Sequence, residues 1–278
     1  MTVEEALLYG TQALQLAGVP DASLDAEYCM AEVLDAPRLL VLMNKQRQLT
    51  DNRATIFFEF IEKRATREPL QYVLGKQDFM GYTFDVSKDV LIPRGDTETL
   101  CEQALLHIQK DAKVLDLCTG SGAIAISMSL LSRDSQVTAC DISEAALAVA
   151  KQNAKANRAT VRFFQGDLFE PVKGETFDII LSNPPYIPSG DLSTLQLEVQ
   201  QEPSLALDGG EDGLDFYKRI AKEAPLHLTE KGILFLEIGD TQAKDVCALL
   251  QSSFDTSLIH DMNGLPRVII AKKRVGQC

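Results

Sequence analysis

The residues best suited to chemistry are Asn183, Pro184, Pro185 and Tyr186, directly after an apolar run at 177–182. Each proline fixes its own φ and lacks an N–H, and the residue before a proline is pushed toward extended backbone. The turn therefore has little freedom and cannot continue as a helix. The Asn183 side-chain oxygen and a main-chain carbonyl beside it can then accept both hydrogens of one NH2 group. Tyr186 adds a flat face for a planar substrate. An amide or exocyclic amine is a weak nucleophile because its lone pair is delocalised, and gripping both N–H bonds turns that lone pair toward an electrophile. Alignment of this kind can recover roughly 7 to 11 kcal/mol of barrier. The same residues would also make an ordinary proline turn closing a strand. The asparagine before them, the aromatic after them and the apolar lead-in favour a clamp for methyl transfer to a planar nitrogen.

A second constellation lies at 114–122, Val-Leu-Asp-Leu-Cys-Thr-Gly-Ser-Gly, between a predicted strand and a helix at 123–131. Glycines there let backbone approach a ligand and leave helix N-terminal N–H groups facing it. Asp141 ends the next predicted strand about 20 residues on, where a carboxylate can take both hydroxyls of a ribose. It would serve equally as an N-cap for the helix that follows. Asp167, after the third strand, stands where an adenine edge would lie, with Leu168 as an apolar wall; a solvated loop carboxylate is the other reading. A dinucleotide is the rival ligand, but the full G-x-G-x-x-G pattern is absent and a dinucleotide leaves the asparagine–proline turn unexplained.

Around these residues the pattern predicts a helical N-terminal domain at 1–70, a hairpin connector at 71–95 and a catalytic domain at 96–278. Thr2 and Glu5 form a capping box, Leu7, Leu8 and Leu14 recur at helical spacing, and Gly18 with Pro20 stops that helix. Further helices are predicted over 24–34 and from Asp51, with Ile56, Phe57, Phe60 and Ile61 on one face. Residues 72–92 alternate in short extended pieces broken by Gly75 and Gly81, and a helix runs from Asp96 to about Gln109. Beyond it strands at 113–117, 136–140, 160–164, 177–182, 232–238, 256–260 and 267–271 alternate with helices. This specifies an α/β fold: a Rossmann-like, mostly parallel sheet of seven strands. The short Asn263-Gly264 loop makes the last pair antiparallel.

Composition narrows the function classes. The chain has 278 residues and a formal charge of −13 from 40 acidic and 27 basic side chains, which disfavours binding through nucleic-acid phosphates. No apolar run approaches a membrane span, and Glu4 and Glu5 replace the basic start of a signal peptide. The six cysteines (Cys29, Cys101, Cys118, Cys140, Cys247 and Cys278) form no CxxC pair, arguing for reduced thiols and against a zinc site. The three histidines, His107, His227 and His260, neighbour no plausible nucleophile.

Residues 183–186 together with 114–122 resemble class I S-adenosylmethionine-dependent methyltransferases. Glu68-Pro69-Leu70-Gln71-Tyr72, Ile92-Pro93-Arg94, Asp96-Thr97-Glu98 and residues 208–217 resemble, more narrowly, the release-factor glutamine methyltransferases of the HemK/PrmC family. The resemblance implies methyl transfer from S-adenosyl-L-methionine, leaving S-adenosyl-L-homocysteine, to the glutamine amide (N5) of the Gly-Gly-Gln motif in class 1 peptide chain release factors. It implies that Asn183 and Pro184 hold the amide, with Pro185 completing the turn and Tyr186 packing on it. The cofactor would contact Cys118, Thr119, Gly120, Ser121, Gly122, Asp141, Asp167, Leu168 and Asn183, with no metal. It further implies a cytoplasmic monomer whose helical domain helps dock the release factor, with no direct nucleic-acid or membrane partner. The alternative acceptor is adenine N6 or guanine N2 of a nucleic acid, whose NH2 groups fit the same clamp. Two positions depart from the family pattern: Cys118 and Gly95 stand where glycine and proline are common. Cysteine suits position 118 if its φ is negative. Gly95 loosens the connector.

Overall fold

The structure, a computed structural model, describes residues 1–132 and 134–274; Cys278 lies outside them. The chain divides into one unit of Met1–Lys76 with Gln196–Gln201 and a second of Gln77–Leu195 with Glu202–Cys278.

The first unit is built from helices α1 (Val3–Leu16), α2 (Ala22–Leu34), α3 (Arg38–Met43), α4 (Asp51–Ala65) and α5 (Leu70–Leu74). The capping box closes as predicted: Glu5 N donates to Thr2 Oγ1 at 3.2 Å and Thr2 N donates to Glu5 at 2.8 Å. The helix stops at Gly18, whose φ of 73° favours a residue without Cβ, and Val19 N reaches back to Leu14 O. Phe57 and Ile61 of α4 join Leu7 and Leu14 in the core. A Cβ on Gly10 would sit 2.8 Å from the Phe57 ring, so that glycine sets how closely the two helices pack. The sequence pattern missed α3 and α5 because six and five residues are too few for a helical period to register.

Buried Arg64 ties this unit together. It donates to Asp25 at 2.7 Å, to Glu198 at 2.8 Å and to the Glu68 carbonyl at 3.1 Å, while Arg67 grips Glu198 at 2.8 and 2.7 Å. Burial opposes the Glu198 charge, but the hydrogen bonds from Arg67 and Arg64 win and hold its carboxyl at about 2. This contribution to stability is complete above the ordinary value of 4.5 and is lost only as pH falls through about 2.

Hairpin strands β1 (Lys76–Phe79) and β2 (Tyr82–Asp85) are joined by Met80 and Gly81, whose φ values of 52° and 80° match the two-residue turn that follows strand twist. Met80 N donates to Glu98 at 2.6 Å. The sheet contains β3 (Lys113–Leu117), β4 (Gln136–Asp141), β5 (Val161–Gln165), β6 (Phe177–Ser182), β7 (Leu228–Glu237), β8 (Phe254–His260) and β9 (Pro266–Lys273). Helices α6 (Gly95–Leu105), α7 (Ala123–Leu131), α8 (Glu144–Ala156), α9 (Asp215–His227) and α10 (Ala243–Leu250) complete the unit. Strand order is β5-β4-β3-β6-β7-β9-β8, parallel except for β9, which runs antiparallel to both neighbours. The expected antiparallel last pair is present, and β9 inserts between β7 and β8.

Successive residues Ile179, Ile180 and Leu181 feed alternate core clusters, as do Val114 and Leu115. Both faces of the central strands are therefore buried, which explains why these runs are continuously apolar instead of alternating. The chain builds outward from β3 in one direction through β4 and β5, then returns to lay β6 on the other side. Leu117 pairs with Ser182 in that register, and Ser182 Oγ donates to Leu117 O at 3.0 Å. The loops leaving β3 and β6 thus emerge side by side at the switch point, where open α/β sheets bind ligands.

Gly95 is the first residue of α6, after Arg94 in an extended conformation (φ −99°, ψ 144°), and an added Cβ would meet no atom within 4 Å. Proline fits a first helical turn, whose N–H groups lack intrahelical acceptors. Gly95→Pro should therefore stabilise the protein by about 0.4–1 kcal/mol. A thermal melt followed by circular dichroism checks this, a lowered midpoint counting against it.

Candidate active site

Between β3 and α7 the chain passes through Cys118, Gly120 and Gly122 with φ values of 60°, 54° and 81°. The condition under which cysteine suits position 118, a negative φ, is not met: this position is left-handed, which costs a non-glycine residue roughly 1–2 kcal/mol. That constraint is the physical reason a glycine would sit there without strain. Gly122 is held for a second reason, since a Cβ would lie 3.0 Å from Ile126 and 3.1 Å from Ala150, closing the α7–α8 contact. At Gly120 a Cβ would meet no protein atom within 4 Å, and Gly120 lines a cavity. Bare backbone is thus exposed to whatever the cavity holds.

Asp116 and Asn153 support this loop. Buried Asp116 accepts from the Thr119 hydroxyl at 2.5 Å and from Ala125 N at 3.2 Å, and burial, opposed by those two bonds, pushes it up to about 7. Buried Asn153 of α8 donates to Ser121 O at 2.9 Å while also exchanging bonds with the Asp85 backbone at 2.7 and 3.0 Å. One amide therefore locks the glycine loop to the hairpin.

Asp141, at the end of β4, accepts from Gly120 N at 2.8 Å and Ser143 N at 2.9 Å. It is not the cap of α8; Ser143 is, with its hydroxyl accepting from Ala146 N at 3.1 Å. Burial raises the Asp141 pKa, and backbone bonds from Ser143, Gly120 and Ile142 oppose the rise. Asp167 is partly exposed and pairs with Arg219 of α9 at 2.7 Å, so it is not simply a solvated loop carboxylate. Leu168, with φ 49°, is buried.

These elements enclose a cavity of about 180 Å³. Of the residues singled out from sequence, Cys118, Gly120, Asp141, Asp167, Leu168, Asn183 and Pro185 line it. Thr119, Ser121, Gly122, Pro184 and Tyr186 are not among the lining residues: the first three form hydrogen bonds or packing contacts inside the loop, and Pro184 is buried. The larger part of the lining was missed by the sequence reading, Ile142, Phe216 and Arg219 among it. Ile142 directly follows Asp141 and could have been found from that spacing. Phe216 and Arg219 lie on α9, far along the chain, and only tertiary packing brings them in.

The asparagine–proline turn is braced from outside. Gln242 donates to Tyr186 O at 2.9 Å, and Gly209 N donates to Ile187 O at 2.8 Å. A Cβ on Gly209 would lie 2.8 Å from the Tyr186 Cα, and one on Gly213 would lie 2.4 Å from Tyr186 O. The glycines of 208–217 thus allow that segment to lie flush against the turn. Asn183 Nδ2 donates to Thr97 Oγ1 at 3.3 Å. With its nitrogen so engaged, the Asn183 oxygen remains as the acceptor.

Chemically the site can hold a nucleoside diol at Asp141, a flat apolar group beside Leu168 and Ile142, and a planar NH2 group at Asn183. Burial pushes the Cys118 and Cys140 thiols well up, so they stay protonated and poor nucleophiles. Burial likewise lifts the Tyr186 hydroxyl to about 12. None of the three histidines lines the cavity; His227 stacks on Phe169 at 4.7 Å. Among the described residues no three His, Cys, Asp or Glu side chains are grouped to hold a metal ion, and no helix is long and apolar enough to cross a membrane.

Two family models match: the PrmC N-terminal domain over residues 5–75 and the methyltransferase small domain over residues 96–201. Among solved structures, a methyltransferase from Pyrococcus furiosus aligns with TM-score 0.52 and 20% identity, covering 68% of this chain and 87% of its own. A T. thermophilus 16S rRNA methyltransferase in complex with AdoMet and guanosine aligns with TM-score 0.54 and 21% identity, covering 72% and 50%. At such identities these two share the fold. Sequence relatives reach further: the release factor glutamine methyltransferase of Geobacter sulfurreducens is 40% identical over 96% of this chain and 95% of its own length. That of Bacillus cereus is 40% identical over 98% and 99%. Identity at this level over nearly the whole chain places it in the release factor glutamine methyltransferase family.

Proposed function

We propose that this protein transfers the methyl group of S-adenosylmethionine to the side-chain amide nitrogen of the glutamine in the Gly-Gly-Gln motif of class 1 peptide chain release factors. The observation that carries the reading is the Asn183 amide, whose nitrogen is committed to Thr97 and whose oxygen is left to accept. The residues present fit the methyl donor. Gly120 offers bare backbone to the cavity, Asp141 retains lone pairs for a ribose diol, and Leu168 and Ile142 supply an apolar slot for a purine. When bound, S-adenosylmethionine supplies an electrophilic methyl on a sulfonium.

The chain's own work is alignment. Asn183 and the Pro184 carbonyl accept the two amide hydrogens and aim the nitrogen, while Tyr186 packs on the amide plane. The proline turn keeps these acceptors rigid, so little freedom is lost when the substrate arrives. The helical domain, residues 1–70, docks the release factor, and the connector at 71–95 joins it to the catalytic domain at 96–278. A cytoplasmic monomer is the form in which such an enzyme meets a translation factor.

Incubation with labelled S-adenosylmethionine and, separately, a release factor, its glutamine-to-alanine form, DNA and ribosomal RNA tests the acceptor. Label is expected on the unmodified factor alone; label on nucleic acid instead would make the adenine or guanine reading the correct one. Asn183→Ala should bind the methyl donor within a few fold of normal yet lose at least a hundredfold in turnover. Near-normal turnover would remove the clamp. Asp141→Asn should raise the dissociation constants of S-adenosylmethionine and of S-adenosylhomocysteine alike by about tenfold, roughly 1.4 kcal/mol. Calorimetry reads both, and weakening of the charged donor alone would assign Asp141 to charge attraction instead of ribose recognition.

A further inference from the structure

The stretch Ile92-Pro93-Arg94 does no chemistry in the methyl-transfer reading, yet it runs directly on from a wall of the cavity, which Asp89, Val90 and Leu91 line. Pro203, Leu205 and Ala206, far along the chain, line the same cavity. Both segments lie outside the sheet and the α-helices: 86–94 joins β2 to α6, and 202–207 falls between β6 and α9. Asp141 and Phe216 are carried into the lining by a strand end and a helix, whose backbone bonds fix their place. The two irregular segments have no such ladder and must be held by side chains.

Glu202 is the side chain that joins them. Its carboxylate is buried; Ile92 N donates to Oε2 at 3.0 Å and Arg94 Nη2 pairs with Oε1. Pro93 stiffens the stretch between these two partners. An N–H and a guanidinium two residues apart thus close on the two oxygens of one carboxylate. Arg94 is partly exposed and Glu202 is not, so the buried end of the pair is the carboxylate, which is stable there only while its charge and lone pairs are met. The residue after Glu202 is Pro203 of the wall, and the residue before Ile92 is Leu91.

We propose that Glu202 is a positioning residue for the methyl donor: by gripping Ile92 and Arg94 it fastens segments 89–91 and 203–206 to each other as walls of the donor cavity, and so slows escape of the bound cofactor. The inference rests on the methyl-transfer reading above. In every turnover S-adenosylhomocysteine must leave and S-adenosylmethionine must enter. Loosening two walls lowers the barrier to leaving far more than it alters the rate of encounter, so the effect falls on the dissociation rate. Glu202 is not among the lining residues and touches no reacting atom, so the turnover of bound donor is spared. A carboxylate that served only the fold would show itself in the melting temperature and leave the release rate alone.

The full chain is loaded with tritiated S-adenosylhomocysteine and chased with excess unlabelled compound by rapid filtration, with a thermal melt run beside it. Glu202→Gln keeps the size of the side chain but turns an NH2 toward Arg94 or Ile92 N; it should release the ligand about tenfold faster, with association within about twofold. Arg94→Met should do the same, and Arg94→Lys, which restores a cation, should bring release back to within about threefold of wild type. Both losses break one interaction, so Glu202→Gln combined with Arg94→Met should release no faster than either alone. With a release factor as acceptor, KM for S-adenosylmethionine should rise in these variants while kcat stays within about threefold. Release at the wild-type rate in the single variants, whatever their melting temperature, makes the pair a brace of the fold and overturns the inference; additive effects or failure of Arg94→Lys to rescue does so too. Should Glu202→Gln not fold, Arg94→Met, changed at the partly exposed end, decides the matter. A wild-type chain that binds no S-adenosylhomocysteine sinks the methyl-transfer reading itself, whereas one that binds it and releases it alike with and without Glu202 sinks this inference alone.

Discussion

The pairing of β3 with β6 is the constraint on which the site depends. Because the chain lays β4 and β5 on one side of β3 and returns to place β6 on the other, no strand or crossover covers the gap between the two loops. The Leu117–Ser182 register and the Ser182 hydroxyl bond to Leu117 O fix the ends of the two strands level with each other. A slip of one residue would exchange Ile179, Ile180 and Leu181 between the two cores and undo the side-chain packing on both faces. The register and packing of the strands therefore set the distance between the glycine loop and Asn183 before either has met a ligand.

Rigidity at Asn183 has sources both local and distant. The two prolines restrict the backbone of the turn, but nothing in them orients the asparagine side chain. Orientation comes from α6 through Thr97, and α6 is tied to the hairpin by Glu98, which accepts from Met80 N at 2.6 Å. The hairpin is tied in turn to the glycine loop through Asn153. Glycine loop, hairpin turn and asparagine–proline turn are thus one hydrogen-bonded frame within the second unit, with Gly209 and Gly213 packed against Tyr186.

What could be read from sequence follows from the range of the forces involved. Strands 113–117 and 177–182 were legible to the residue because apolar runs bounded by polar turns are local signals. The capping box of Thr2 and Glu5 was legible for the same reason. The insertion of β9 between β7 and β8 was not, because a short loop reveals that two strands pair and not which outer neighbour the second finds. The conformation of Cys118 was hidden too: a left-handed φ is imposed by the strand-to-helix geometry, and a cysteine in the sequence argues against it. Asp141 and Asn183, singled out by type and spacing, both line the cavity. Phe216, Arg219 and Thr97 were beyond that reach, since their distance in sequence from the residues they serve exceeds any local period.

The same frame holds two carboxylates at a cost. Asp116 and Glu237 are buried, each keeps one oxygen without a hydrogen-bond partner, and each is pushed up to about 7 from ordinary values of 3.8 and 4.5. Their neutral forms suit the interior better than their charged forms. The stabilisation they give is therefore full below those ordinary values and drains away as pH rises through about 7. An apolar residue of similar size would spare the fold this loss. Asp116 fastens Thr119 and the start of α7, and Glu237 ends β7, where its main-chain carbonyl accepts from the buried Tyr217 hydroxyl at 2.8 Å. Both lie at the ends of strands beside the switch point, so the sheet gives up stability near neutral pH at the place where its loops must be held in a single arrangement.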